Sequence, residues 1–408
     1  MGHVFRRTHR HCAQLDAPRR RRSTSRPRDP PGLDEPRQHR LFGARVPYTH
    51  NLPPQLVTSL FWNGQFGVQM FFAVSGFLIT SLRRWGSLAR VCVRDFYRLR
   101  FARIAPLLLL LLAVLSALHL AHVHNFVVSA KTGGLAQALF AALTFHVNVL
   151  EARRGYLPAN WDILWSLSAE EMFYLFFPLI CWIFGRGKLL MALLWVFVVL
   201  GPLGRTAFAH GNGVWREYSY LGGMDAIALG CLTALLVTAR AFSQTVLRTF
   251  VAIGSILMIF TLGFSIQANR WGLARSGLEM TILAVGTCMM IAVAAQTRWQ
   301  APRAMAPLLK LGQRSYEVYL THMFIVFGLF QLFVRAGKPM KEVLALFIAV
   351  ILLSGLLGDL VARSYSEPMN RLLRRFWGDG PSRLGSVIGA PAIATIESDR
   401  VYTQSTSL

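Results

Sequence analysis

Two arginines three residues apart, Arg100 and Arg103, stand where a charged loop meets a long apolar run. If a helix begins there, the two side chains share one of its faces. Guanidinium groups bind phosphate through paired hydrogen bonds, so the pair predicts a site for a phosphate-bearing donor such as acyl-CoA. The alternative is that arginines simply collect at the cytoplasmic boundary of a membrane helix.

A second polar group precedes another apolar run, in residues 161–174, which read WDILWSLSAEEMFY. Glu170 and Glu171 are adjacent, so their side chains point about 100° apart on a helix and we expect only one to face the bundle interior. We choose Glu170, one turn from Tyr174, as a functional acid that orients a base or binds sugar hydroxyls. The alternative is that the two carboxylates stabilise the start of the helix through its dipole.

Isolated polar residues also interrupt apolar runs, among them Asp225, His322 and Asp359. Ionisable groups are costly inside a membrane and are often functional. An interhelical hydrogen bond explains each of them as well. Ser75 is followed by Gly76, and a glycine allows two helices to pack closely. The five cysteines are scattered and predict neither a disulfide framework nor a zinc site.

The composition is that of a membrane protein. Apolar residues make up 54% of the 408 residues, charged residues only 15%, and the mean hydropathy is +0.42. Several apolar runs are long enough to cross a bilayer core of about 30 Å, and they lack the charged faces of helices in a soluble protein. The net charge of +24 lies between these runs, where anionic lipid explains it better than nucleic acid. We predict an all-α, polytopic transmembrane bundle.

Ten apolar segments are candidate membrane spans. They are 66–82, 104–122, 134–150, 166–184, 189–204, 218–238, 249–266, 278–296, 315–334 and 342–362. If all ten span, basic residues divide almost evenly between the two sides of the membrane. If 134–150 only dips into the membrane or lies across it, the basic segments 83–103, 298–314 and 363–383 all face the cytoplasm. We therefore predict nine spans without 134–150.

Both ends of the chain differ from this pattern. Residues 1–45 contain twelve arginines, no lysine and proline-rich stretches, and they lack the apolar core of a signal peptide. We interpret 1–45 as a disordered basic arm that could bind lipid, or as a start produced by a frame error in the gene. A membrane domain over 46–375 and a disordered tail over 376–408 complete the predicted organisation.

Four ordered motifs lie along the membrane part. They are residues 64–80, GQFGVQMFFAVSGFLIT; 96–106, FYRLRFARIAP, which holds the arginine pair; 165–174, WSLSAEEMFY; and 311–322, LGQRSYEVYLTH. Together they resemble the membrane O-acyltransferases of acyltransferase family 3, over about residues 60–375. The resemblance implies a helical fold of about ten helices in the inner membrane of a bacterium. It also implies transfer of an acyl group to cell-envelope carbohydrate, a polysaccharide or lipopolysaccharide.

The resemblance further implies a mechanism. Acetyl-CoA or another acyl-CoA is the co-substrate and docks at Arg100 and Arg103, with no bound cofactor, no metal and no nucleic-acid partner. A histidine deprotonates a hydroxyl of the carbohydrate or glycolipid, which attacks the thioester. Glu170 and Tyr174 would hold the sugar at the outer side. The remaining candidates are His322 for catalysis, and Ser75, Trp165 and Asp225 for substrate binding or structure.

One family feature is missing from the sequence as it stands. Family members begin with a membrane helix that carries an arginine and, eleven positions later, the histidine taken as the base. No apolar helix precedes residue 60, so we predict that this helix is absent. Arg28 and His39 have that separation but lie in a polar, proline-containing stretch, and His50 is a weak substitute.

Two alternatives therefore stay open. One is an inactive acyltransferase remnant without its base. The other is a transporter or flippase of a lipid-linked glycan, which would use Asp225, His322 and Asp359 as its polar pathway. Many transporters show internal repeats or matching pairs of broken helices, and neither is evident in this sequence.

Overall fold

A computed structural model describes residues 64–81, 93–184, 187–297, 302, 305–337 and 343–377, and these residues form helices and connecting turns with no strand. The predicted arm 1–45, the residues around His50 and the tail after residue 377 lie outside the described residues. The helices are α1 Gly64–Ser81, α2 Val93–Leu120, α3 Gly134–Leu143, α4 Val147–Arg154, α5 Leu164–Phe184, α6 Lys188–Arg205, α7 Gly213–Tyr218, α8 Tyr220–Ala239, α9 Gln244–Gly263, α10 Ser265–Arg270, α11 Leu278–Gln296, α12 Ala306–Gln313, α13 Ser315–Arg335, α14 Val343–Val361 and α15 Glu367–Phe376, and a π-helical turn, Ala362–Ser366, joins the last two.

Eight helical stretches in the described part of the chain are long and apolar enough to cross a membrane. They contain α2, α5, α6, α8, α9, α11, α13 and α14. Helix α1 is the ninth predicted span. It has 18 residues but carries Gln65 and Gln69, which lower its hydropathy, and it packs along α8 within the bundle. The predicted all-α polytopic bundle is confirmed, and the chain is a multi-pass membrane protein.

The segment between α2 and α5 turns back into the bundle. Helices α2 and α5 run antiparallel. The Tyr97 hydroxyl donates to the Leu175 carbonyl, and further along α2 Arg100 contacts Glu171, which lies earlier in α5. At 1.5 Å per residue, α2 continues about 30 Å beyond Arg100, whereas α5 begins only about 10 Å before Glu171. The connecting segment 121–163 therefore returns about 20 Å along α2 before α5 starts.

Contacts with α13 show a return in the same direction, by one turn of that helix. Phe126 stacks on Phe324 with ring centroids 5.6 Å apart, whereas further along the chain the Asn160 amide donates to the Leu320 carbonyl at 2.9 Å. Helices α3 and α4 within this segment have ten and eight residues, too few to cross a bilayer core. The prediction that 134–150 is not a span is confirmed.

Buried polar side chains fix this re-entrant segment. Glu151 is fully buried, and its carboxylate accepts a hydrogen bond from the Leu157 backbone N–H at 3.0 Å. The Asn148 amide donates to the Tyr218 carbonyl at 3.1 Å. Burial raises the pKa of the Glu151 carboxyl well above its usual range, and the nearby carboxyl of Asp162 raises it further.

Two helices of the bundle touch through glycine. Helices α1 and α8 run parallel, and a Cβ at Gly76 would overlap the Ile227 carbonyl, while one at Gly230 would overlap the Ala73 carbonyl. The Cys231 thiol donates to the Gly76 carbonyl at 3.4 Å across the same contact. Gly76 therefore has the close-packing role expected from the sequence, and it sets the position of Ser75 beside it.

The raised pKa of Glu151 predicts a pH-dependent stability. A carboxyl with a raised pKa binds its proton more tightly in the folded protein than in the unfolded chain, so the stability due to protonation is lost as pH rises from the ordinary value of 4.5 through the raised value. The Glu151→Gln variant keeps an oxygen that accepts from Leu157 and does not titrate. Its melting temperature in detergent should therefore fall less with rising pH than that of the wild type.

Glu151→Ala is the matched control. It leaves the buried Leu157 N–H without its acceptor, which costs about 1–3 kcal/mol of stability at every pH. Equal pH dependence of melting in the wild type and the Gln variant would contradict this account of Glu151.

Candidate active site

Polar side chains from three helices meet where α2 and α5 cross. Helix α1 contributes Ser75, α2 contributes Arg100, and α5 contributes Glu170, Glu171 and Tyr174. We call these five residues the arginine–glutamate cluster. Four of the five were singled out from the sequence, and the fold brings them into direct contact.

Hydrogen bonds converge on one carboxylate oxygen. The Tyr174 hydroxyl donates to Glu170 Oε1 at 2.5 Å, and the Ser75 hydroxyl donates to the same oxygen. The two hydroxyls also lie 2.5 Å from each other. Arg100 Nη2 lies 3.8 Å from the same oxygen and forms an ion pair with it.

Arg100 makes two further contacts. Its Nη2 donates to Glu171 Oε1 at 3.1 Å, and its guanidinium lies over the Tyr174 ring, 3.4 Å from the centroid. The expectation that only one of the adjacent glutamates could face inward is wrong. Both side chains are largely buried, at 9% and 11% exposed, because the long arginine side chain lies between the helices and reaches both carboxylates.

The start of α5 decides between the two interpretations of these glutamates. The helix begins at Leu164, and its first turn holds no acidic residue. Glu170 is therefore past the positions at which a side chain caps a helix, and the capping alternative is excluded. Its polar contacts instead go to neighbouring helices and to Tyr174 one turn further on.

Arg103 is placed differently from Arg100. It lies one turn further along α2 and is half-buried, and within the described residues its guanidinium has no ion-pair or hydrogen-bond partner. The Tyr316 hydroxyl of α13 donates to the Ile104 carbonyl at 2.9 Å, next to Arg103 along α2. One arginine of the pair is therefore occupied by carboxylates, and the other is available to an anion.

The residues expected to bind the acyl donor and those expected to bind the sugar acceptor are not separated in the structure. Glu170 and Tyr174 were expected at the outer side, away from the arginine pair, yet both contact Arg100 directly. The physical reason is the re-entrant segment, which starts α5 partway along α2 and so brings its carboxylates to the level of Arg100.

A second set of hydroxyls lies one turn before Glu170. The Ser166 and Tyr319 hydroxyls are 2.6 Å apart, and Tyr319 also donates to the Ile163 carbonyl at 3.0 Å. His322 Nδ1 is 2.6 Å from the Tyr319 carbonyl of its own helix. In the described structure His322 therefore contacts its own helix backbone and not the arginine–glutamate cluster.

Trp165 is part of the core. It is 6% exposed and stacks on Tyr218 with ring centroids 4.2 Å apart and planes inclined by 4°, while Phe72 meets it edge-on. A sugar ring cannot reach a face that is already covered. The structure therefore favours the structural role for Trp165.

Asp225 joins four helices. Its carboxylate accepts hydrogen bonds from Arg205 of α6 at 2.6 Å, Gln69 of α1 at 2.9 Å and Thr281 of α11 at 2.6 Å. Arg205 in turn donates to the carbonyls of Gly222 and Gly277. The interhelical alternative stated for Asp225 is the one that the geometry supports.

Asp359 also has a structural setting. Lys310, Arg314 and Arg363 surround its carboxylate at 3.1, 3.6 and 3.0 Å. Arg314 additionally pairs with Glu367 at the start of α15. These ion pairs fasten α12 and α13 to the end of α14.

Some residues of the arginine–glutamate cluster and of the contacts around Asp225 were not recognised in the sequence. Glu171 was set aside in favour of its neighbour, and Arg205, which follows the apolar segment 189–204, was not considered. Gln69 belongs to a quoted motif without having been assigned a role. Arg205 could have been recognised from its position at the end of one apolar segment, since Asp225 interrupts the next segment. Ionisable residues within membrane segments commonly pair with one another.

Residues 41–359 match a sequence family described as an acyltransferase domain. The chain belongs to this acyltransferase family. All four motifs quoted above lie within the matched residues, and the resemblance stated from them is confirmed. No solved structure matches the chain.

Two relatives of the chain are named as O-acetyltransferases. The chain is 25% identical over 359 residues to the O-acetyltransferase OatA of Staphylococcus aureus strain COL, which covers 85% of this chain and 58% of that protein. It is 26% identical over 290 residues to the peptidoglycan O-acetyltransferase OatA of Listeria monocytogenes, which covers 64% of this chain and 45% of that protein. The chain thus spans about half the length of the curated relatives that it matches.

The buried pair of Arg205 and Asp225 leads to a stability prediction. Arg205→Ala leaves the Asp225 carboxylate buried without its cation, which costs about 3–5 kcal/mol. The Arg205→Ala, Asp225→Asn double variant removes the stranded charge and should recover part of this loss. Thermal unfolding in detergent measures both effects.

The matched control is Arg270→Ala, because Arg270 is exposed at the end of α10. It should melt within the error of the wild type. A single variant at Arg205 that melts like this control would show that the ion pair does not hold the four helices together.

Proposed function

We propose that this acyltransferase moves an acetyl group from acetyl-CoA to a hydroxyl of a cell-wall carbohydrate, in the cytoplasmic membrane of a bacterium. The observation that carries the proposal is the arginine–glutamate cluster, held within a membrane bundle whose sequence belongs to an acyltransferase family. The relatives named as O-acetyltransferases support acetyl as the group transferred. The name of the Listeria relative favours peptidoglycan over lipopolysaccharide as the acceptor.

The donor site is built around Arg103. Acyl-CoA carries several phosphates, and a half-buried guanidinium that has no partner in the described structure suits one of them. Arg100 is already paired with Glu170 and Glu171, so its role at the same place is to orient the two carboxylates. The positive-inside rule puts this end of the bundle on the cytoplasmic side, where acyl-CoA is found.

The hydroxyls and the Glu170 carboxylate of the arginine–glutamate cluster bind the sugar acceptor. Glu170 can accept a hydrogen bond from a sugar hydroxyl, while Ser75 and Tyr174 hold the carboxylate in place. The sugar oxygen attacks the thioester carbonyl, the C–S bond breaks, and the proton of the hydroxyl passes through the base to the released thiolate. The family resemblance implies a histidine as this base, on a first helix that we predict to be absent from this sequence. His50, the weak substitute, lies outside the described residues.

The transport alternative receives less support from the contacts. Asp225 and Asp359 each hold several helices together through ion pairs, and His322 contacts the backbone of its own helix. A polar pathway for a glycan needs groups that can release such partners. The arginine–glutamate cluster suits acyl transfer better than the transport of a glycan.

Kinetics of arginine variants test the donor site. A hydrogen bond to a charged group contributes about 1.5–3 kcal/mol, so Arg103→Gln should raise the KM for acetyl-CoA about tenfold to a hundredfold with a smaller change in kcat. Arg94→Gln, an exposed arginine near the start of the same helix, is the control and should leave both constants unchanged. The assay follows transfer of labelled acetyl to cell-wall carbohydrate by membranes that contain the full chain. An equal KM in the two variants would contradict the role of Arg103.

The acceptor is tested in cells. Deletion of the gene should lower the O-acetyl content of peptidoglycan measured by NMR, and expression of this chain should restore it. Loss from another envelope glycan with unchanged peptidoglycan would keep the enzyme class and correct the acceptor. Unchanged O-acetylation of every envelope glycan would contradict the proposal.

A further inference from the structure

The last described helix, α15, follows α14, the last long apolar helix of the bundle. It continues from α14, whose residues Leu352, Leu356 and Leu360 are spaced by four and are 65%, 65% and 60% exposed, as expected of a face that meets lipid. The π-helical turn Ala362–Ser366 connects the two helices. Helix α15 packs against α2 at its arginine-rich start.

One side of α15 is fixed to the bundle. Trp377, which follows the helix, lies 6.1 Å from the Phe101 ring and beneath the Arg98 guanidinium at 5.9 Å. At the other end Glu367 pairs with Arg314. With both ends held, the opposite side of the helix has a defined direction, away from the protein.

That outward side is divided between charge and apolar surface. Arg371 and Arg375 are exposed and four residues apart, so they lie on one edge. Leu372 and Phe376 have the same spacing on the adjacent edge and are 59% and 82% exposed. A basic edge beside an apolar edge is the pattern of a helix that lies at a membrane surface.

The positive charge on this side is not balanced within the described structure. Glu367 is the acidic residue of α15, and it is already paired with Arg314. Arg371 contacts only the Glu367 backbone carbonyl, at 3.4 Å, and no acidic side chain pairs with Arg371 or Arg375 among the described residues. The complementary partner must therefore supply negative charge beside an apolar phase.

We infer that the outward side of α15 binds the headgroups of anionic phospholipids in the adjoining leaflet. Arg371 and Arg375 pair with lipid phosphate and anionic headgroups, while Leu372 and Phe376 enter the upper part of the acyl chains. A neutral lipid offers the apolar phase without net negative charge, so the site selects anionic lipid. This inference is independent of the proposed reaction.

Native mass spectrometry of the full chain in detergent tests it, by titration with phosphatidylglycerol or phosphatidylcholine. Each arginine near an anionic surface is worth about 1 kcal/mol, so Arg371→Gln with Arg375→Gln should weaken phosphatidylglycerol binding about thirtyfold. Phosphatidylcholine binding should change little. Leu372→Ser with Phe376→Ser should weaken the binding of both lipids to a similar degree.

The matched control removes two arginines elsewhere. Arg153→Gln with Arg154→Gln has the same charge change at the exposed end of α4, and it should bind phosphatidylglycerol like the wild type. All variants alter exposed side chains, and thermal unfolding verifies that they are folded. Equal binding of the two lipids by the wild type, or unchanged phosphatidylglycerol binding after loss of Arg371 and Arg375, would overturn the inference. So would displacement of phosphatidylglycerol by coenzyme A, which would assign the charge to a soluble ligand.

Discussion

A charged side chain among apolar helices needs partners inside the protein, and the pairing of Arg100 with Glu170 and Glu171 shows how this chain meets that requirement. The pairing is possible because α5 starts within the bundle and faces α2 at the level of the arginine. The re-entrant segment that delivers α5 to this level is itself fixed by buried polar groups such as Glu151 and Asn160. Site geometry and fold therefore depend on the same local arrangement.

Charges elsewhere in the bundle serve as connections between helices. Asp225 joins α1, α6, α8 and α11, and Asp359 joins α12, α13 and α14. Between α1 and α8 the connection is steric, because glycine allows the backbones to touch. In lipid, burial of apolar surface does not drive helices together, so such specific contacts define the arrangement. Ser75 reaches Glu170 only because α1 is held in this way.

Much of the fold could be predicted because a membrane imposes simple rules on sequence. Length and hydropathy located the spanning helices, and the distribution of basic residues excluded 134–150 as a span, as the short helices α3 and α4 confirm. The motifs gave four members of the arginine–glutamate cluster. What the motifs could not give was the relative depth of α2 and α5, since depth depends on how far the connecting segment returns.

The roles of single charged residues were harder to predict for a related reason. In the sequence, Asp225 and Asp359 cannot be distinguished from acidic residues that line a substrate pathway. In either case an acidic residue interrupts an apolar run. Only the partner distinguishes them, and Arg205 lies 20 residues away along the chain from Asp225. Arg100 and Arg103 likewise form one motif in sequence, yet one contacts two carboxylates and the other has no partner in the described residues.

The re-entrant segment also changes what surrounds α2 along its length, because protein takes the place of lipid there. A bilayer presents about 30 Å of hydrocarbon to any polar group that crosses it. Alongside α2, about 20 Å of that depth is occupied by protein that carries buried amides, carboxylates and hydroxyls. Between the level of Arg100 and the far end of α2, this helix therefore faces folded protein that contains both apolar core residues and buried polar groups.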